Sequence, residues 1–160
     1  MKRRRLHQSF AAFAALLLAG SSPARAQQGP YDEMADARQQ IQQALAVSAR
    51  DLRPLLLVFG ANWCGDCKVL DMAFIEGRVA TLMNQRFRVV KINVGRFDRN
   101  TDIAERYGVP LKKGIPAVAL VSAAGQTVYT TQAGELADAR NMGEQGIHDF
   151  FAKLAAPARY

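Results

Sequence analysis

The sequence is poor in cysteine and histidine, has a single tryptophan, and has no apolar run long enough to cross a bilayer: two Cys, two His and one Trp stand in 160 residues. Each shortage removes a class of function. Zinc is ordinarily held by four ligands, and beside Cys64 and Cys67 the chain offers only His7 and His148. His7 lies in a segment expected to be removed, and His148, set among Ile147, Phe150 and Phe151, reads as a surface or satisfied histidine. No metal is therefore expected. The most apolar stretch, Phe10 to Ala19, spans about 15 Å as a helix against a hydrocarbon core of about 30 Å, too short for an anchor. A basic stripe interleaved with aromatics is also missing. The formal charge is +7, but Lys2, Arg3, Arg4, Arg5 and Arg25 fall in the first 26 positions, where there is no acid, and the remainder is nearly neutral. Phosphate neutralisation needs clustered Lys and Arg, so nucleic acid is not an expected partner. No internal repeat and no low-complexity tract is present.

What is present begins with those same 26 residues. A cationic start, a short apolar run and Ala24-Arg25-Ala26 compose a secretory signal, residues 1–26, cut after Ala26. The remaining residues 27–160 suffice for one domain and are too few for two. The expectation is an exported protein of the bacterial periplasm with no membrane span after cleavage. Outside the cytoplasm two cysteines can form a structural bridge. Their spacing argues against it, because Cys64 and Cys67 close almost the shortest loop available and such a staple gains little entropy.

Along the chain, residues 31–50 carry apolar residues at mostly helical spacing and predict an N-terminal helical extension. Leu55-Leu56-Leu57-Val58-Phe59, opened by Pro54 and closed by Gly60, is the continuous apolar run of a strand buried on both faces. Helical segments follow at 69–75 and 79–83 with a break near Gly77, and residues 87–94 return to β-branched composition. A short helix over 101–107, a hairpin of 117–121 with 126–131 around Ala124-Gly125, and a helix over 141–155 complete the pattern. Strands alternating with helices, then a hairpin and a helix, predict an α/β fold with a mixed sheet covered on both faces.

The chemistry falls on Trp63-Cys64-Gly65-Asp66-Cys67-Lys68. Cys64 follows a buried strand where the chain turns into a helix, and Cys67 lies one turn later on the same face. Unpaired N–H groups and the positive end of the helix dipole favour a thiolate at the first cysteine. Thiolate, not thiol, attacks disulfides. Cys64 is thus the candidate nucleophile and Cys67, more buried, the resolving thiol. The pair itself, as a redox-active disulfide, is the only redox group the chemistry calls for, and no cofactor is expected.

The segment from Phe59 to Lys68, together with Gly114-Ile115-Pro116, resembles the active-site segment and the Gly-Ile-Pro of the thioredoxin-like superfamily. Residues 90–94 fit its central strand, and the similarity runs from about residue 52 to the end. The stretches 93–100 and 107–116 resemble exported bacterial thioredoxin-like proteins described as disulfide isomerases. The resemblance implies the thioredoxin-like fold, with Pro116 in cis beside the cysteines and Ile115 offering backbone pairing to a bound peptide. It implies partners of two kinds, protein or peptide thiols and disulfides, and a redox partner protein. Trp63 matches the tryptophan that shields the active site, or else packs in the core. Gly134 stands where the family has a loop facing the peptide, or simply ends a strand. Two residues depart from the pattern. Asp66 replaces a proline between the cysteines, beside Gly65. Val58 replaces the buried acid six residues before the first cysteine, which leaves Lys91, the match for that acid's partner, without a counter-ion or pointing elsewhere. Reductase, oxidase and isomerase all remain open, as does a peptide-binding or chaperone-like module with little turnover.

Overall fold

Residues 29–156 are described in the computed structural model of this chain; the expected signal segment 1–26 and its cleavage point lie outside them. The apolar run becomes strand β1, Leu55–Gly60, with all six residues buried. Such a run is stable only where water is excluded from both faces, and β1 takes the interior of the sheet. It lies between β2, Arg88–Asn93, and β3, Ala117–Val121, with β4, Thr127–Thr130, outside β3. β1 pairs parallel with β2 and antiparallel with β3, which pairs antiparallel with β4. The sheet is therefore mixed, as its residue pattern predicts.

Alternation along β1 splits the core in two. Leu55, Leu57 and Phe59 pack with Ile92, Ala119 and Val121 toward α1, Ala37–Asp51, and α4, Thr101–Arg106. Leu56 and Val58 pack on the other side with Leu70 of α2, Gly65–Ile75, Val79 and Met83 of α3, Gly77–Arg86, and Ile147 and Phe151 of α5, Ala139–Ala155. This three-layer α/β arrangement is the thioredoxin-like fold. Among the described residues, no helix is long and apolar enough to cross a membrane.

Three boundaries differ from the sequence expectation. The first helix begins at Ala37, not Tyr31, because Asp36 caps it by accepting from Gln39 N, leaving residues 29–36 as an irregular strap. Helix α2 starts at Gly65, inside the cysteine motif, whereas the expected break near Gly77 is present, at Glu76 before Gly77, whose φ of +69° suits glycine. In α5 the backbone leaves helical geometry at Gly143.

Candidate functional site

The first turn of α2 builds the site. Cys64 is its N-cap, in extended conformation, and its Sγ accepts a hydrogen bond from Cys67 N at 3.2 Å. The sulfur thus satisfies one of the donors a helix start leaves unpaired. On the opposite side the Cys64 thiol lies 3.5 Å from the Ile115 carbonyl, and the Ile115–Pro116 peptide bond is cis. Strand β3, starting at Ala117, and helix α2 therefore bring Cys64, Ile115 and Pro116 together from two distant parts of the chain. Both cysteines are free thiols in this structure. Cys64 is 6 % exposed and Cys67 fully buried.

The two sulfurs are tuned in opposite directions. Hydrogen bonding from Cys67, through its thiol first and its backbone N–H as well, pulls Cys64 down to about 7 against burial and the Asp66 charge. The same partnership with Cys64, followed by burial, pushes Cys67 far up. The sulfur pulled down is the one suited to attack and the sulfur pushed up stays a thiol, the division of labour a nucleophile and a resolving group require.

Around this pair the structure places each residue singled out above. Trp63 is half exposed, donates from Nε1 to the Gly95 carbonyl at 2.7 Å, and meets Phe97 edge to face at a centroid distance of 5.9 Å. It forms a wall beside Cys64 and is not a core residue. An open apolar groove continues from Phe97 past Val109, Pro110, Leu111 and Gly114 toward the cis-proline loop. Gly65 leaves room for Arg140, whose Nη1 would lie 3.5 Å from a Cβ there. Gly134 has φ +79°, and a Cβ on it would come 2.4 Å from the Lys113 carbonyl, so it supports the loop preceding Ile115 from behind.

Asp66 is buried and accepts from both Arg140 N, at 3.0 Å, and Arg140 Nε, at 3.1 Å. Burial pushes its carboxyl up, but the two Arg140 donors and the guanidinium charge outweigh this and hold it below the usual range. It is committed to α5 as a carboxylate. Lys91 does have a counter-ion: its Nζ pairs with Asp71 Oδ1. Lys91 and Val58 are register partners in adjacent strands, so it is Asp71, one turn beyond Cys67 on α2, that serves as the counter-ion of Lys91.

Sequence reasoning did not find Tyr31, Asn62, Asp71 or Arg140 as site residues. Asp71 had a signal, since it follows Cys67 by four positions and shares its helix face. Arg140 is 74 positions from Asp66 and had none. Tyr31 was read as helix; it is instead 2 % exposed with its hydroxyl beside Cys67. Among the described residues, no cluster of three or more His, Cys, Asp or Glu side chains could hold a metal ion.

Comparisons with known proteins converge on one group. A family described as thioredoxin-like matches residues 36–123. The thioredoxin of Thiocapsa roseopersicina is 34% identical over 71 residues, covering 44% of this chain and 69% of that protein. That of Acidithiobacillus ferridurans is 33% identical over 88 residues, covering 55% and 72%. Among solved structures, the disulphide isomerase from Xylella fastidiosa Temecula1 is 52% identical, with a TM-score of 0.78 over 80% of this chain and 98% of that one.

Proposed function

The chain belongs to the thioredoxin-like family, and from that premise we propose that it is an exported thiol-disulfide oxidoreductase acting on disulfides of proteins or peptides through Cys64 and Cys67. The observation that carries this reading is the placement of Cys64 Sγ, at the N-cap of α2 and 3.5 Å from the Ile115 carbonyl beside a cis proline. A client disulfide approaching along the Trp63–Phe97 wall meets the Cys64 sulfur on one side and the Ile115–Pro116 loop on the other. Attack by Cys64 expels one client thiolate and leaves a mixed disulfide. Cys67, held one turn inside, then attacks Cys64 Sγ and releases the second client thiol. Run backward, the same steps transfer the Cys64–Cys67 disulfide to a client dithiol. Net direction follows from the reduction potential of the pair against its compartment and redox partner. The likeness to a disulphide isomerase at 52% identity supports protein disulfides as the substrate class.

Reduction of insulin by the protein in the presence of a thiol reductant tests the activity. Turnover that vanishes in Cys64→Ser is the expected result. A peptide-binding module that keeps the apolar groove without exchange chemistry would bind unfolded chains and leave insulin intact. Export through the 1–26 segment is part of the proposal, supported by its charge and apolar pattern. Intact-mass measurement of protein recovered from the periplasm should show a chain starting at Gln27, and a membrane-bound product that retains Phe10 to Ala19 would refute it.

A further inference from the structure

Cys67 has to lose a proton when it resolves the mixed disulfide, yet the two carboxylates of its own helix nearest to it in sequence, Asp66 and Asp71, are each paired with a cation. Val58 stands where related proteins carry the acid, Asp71 is paired with Lys91, and Asp66 is paired with Arg140. What does reach the Cys67 sulfur is a phenol. Tyr31 is buried at 2 % exposure, and its hydroxyl and Cys67 Sγ converge over Gly60. A Cβ on Gly60 would lie 2.2 Å from the Tyr31 oxygen and 2.8 Å from Cys67 Sγ, so only glycine at that position lets the two meet.

The strap holds the ring there. Tyr31 N donates to Asn62 Oδ1 at 3.0 Å, and Asn62 Nδ2 donates back to the Tyr31 carbonyl at 2.9 Å. Asn62 Nδ2 also donates to Glu33 Oε1, and Arg99 Nη1 to the Glu33 carbonyl, both at 3.1 Å. Asn62 stands two residues before Cys64, so one side chain sets both the strap and the approach to the motif.

We propose that Tyr31 is a catalytic residue of the resolving step, a hydrogen-bond donor that holds the Cys67 sulfur and stabilises its thiolate in place of the buried acid of related proteins. This assignment rests on the exchange chemistry proposed above. In that step the Cys67 S–H bond breaks, a Cys64–Cys67 S–S bond forms, and the Cys64–client S–S bond breaks with its electron pair leaving on the client sulfur. The proton from Cys67 passes to solvent, and the departing client thiolate takes one up. Cys67 and Cys64 are oxidised and the client disulfide is reduced, so no further reagent is needed. Tyr31 keeps its own proton throughout. Burial first, then the charges of the neighbouring sulfurs, push its hydroxyl well above the usual tyrosine value, so it donates and does not act as a base. A hydrogen bond to an ionised acceptor is among the stronger ones.

Among the described residues, the titratable and charged groups around Cys67 are Tyr31 of the strap, Cys64 and Asp66 on its own helix, the latter paired with Arg140 of α5, and Asp71, paired with Lys91 of β2. β1 and β3 contribute no titratable side chain.

The test uses the full chain, reduced, mixed with 5,5′-dithiobis(2-nitrobenzoate), which releases one coloured thiolate when Cys64 attacks and a second when Cys67 resolves. Tyr31→Phe keeps the ring and removes the donor. Its first phase should match the parent, while its second slows roughly tenfold and its pH profile moves upward, a barrier change of about 1.4 kcal/mol. A second phase with unchanged rate and pH profile overturns the role of Tyr31 while leaving the exchange chemistry standing. Absence of a first phase in the parent protein overturns the exchange chemistry itself. Should Tyr31→Phe lose its first phase through misfolding, Asn62→Ala slackens the strap and reads the same quantity: a slowed second phase supports the assignment and an unchanged one refutes it.

Discussion

Cys64 and Cys67 stand one helical turn apart and occupy opposite worlds. Around Cys64 the protein offers a helix N-terminus, the cis-proline loop and the Trp63 wall, and the hydrogen bonds from Cys67 pull its pKa down to about 7. Around Cys67 the hydrogen bond with Cys64 and then full burial keep the sulfur protonated, against the opposing hydrogen bonds of the Ala61 backbone and the Tyr31 hydroxyl. Sequence spacing lets the two sulfurs meet; the hydrogen bond between them, followed by the burial of Cys67, makes them unequal. The asymmetry of this Cys-x-x-Cys pair therefore arises first in the bond between the two sulfurs and then in how deeply each is packed.

The largest test of that asymmetry exchanges each sulfur for oxygen. Cys67→Ser keeps the attacking thiolate and removes the resolving thiol, so covalent mixed disulfides with client proteins should accumulate on non-reducing gels of whole-cell extract. Cys64→Ser should trap few or none. A structural bridge instead gives equal loss of stability in both variants and no adducts.

A smaller effect of the same origin is read by pH. With Cys64 at about 7, its alkylation rate should rise about tenfold for each pH unit below that value and level off above it, as the thiolate fraction does. Cys67 should remain unmodified over the same range. Mass spectrometry of the alkylated chain assigns the site, and equal labelling of both cysteines with one profile would dissolve the comparison.

Gly60 sharpens it from the buried side. Gly60→Ala forces a methyl between the Tyr31 hydroxyl and Cys67 Sγ, and overpacking of this kind should cost about 1–3 kcal/mol in chemical denaturation. Combining it with Tyr31→Phe should recover only a small part of the loss, because the ring Cζ at 2.4 Å and Cys67 Sγ at 2.8 Å still clash once the hydroxyl is gone. Strict additivity would show that the two positions do not share one space.

The fold and the reacting atoms were legible in the sequence; the supporting shell largely was not. Leu55 to Phe59 announces a strand buried on both faces, and Gly65 to Cys67 announces a helix start, because both are local consequences of composition. The absence of an acid at Val58 was equally plain. The counter-ion of Lys91 was not, since Asp71 finds Lys91 only after α2 is laid across β2. Tyr31 was read as the start of a helix, from a stretch whose polar residues and alanines fit helical spacing. In fact the Asp36 cap and the Asn62 clamp hold that stretch out of the helix, and tertiary hydrogen bonds prevail over a weak local preference.

Asp66 and Arg140 set the smallest difference, and the one where two charges must be weighed together. The Asp66 carboxylate opposes a thiolate at Cys64, while Arg140, drawn close by Asp66, favours it, as the influence of the Cys64 charge on Arg140 shows in return. Asp66 is buried and Arg140 is exposed, so solvent screens the guanidinium more than the carboxylate and the net effect on Cys64 is unfavourable. Asp66→Asn should therefore lower the Cys64 pKa and Arg140→Gln should raise it, each by about half a unit. Titration of thiolate absorbance gives the order, with the parent between the two variants. If Asp66→Asn raises the value instead, the carboxylate acts by positioning Arg140 and not by its own charge. The exposed side of the motif would then owe its reactivity to α5 as much as to the start of α2.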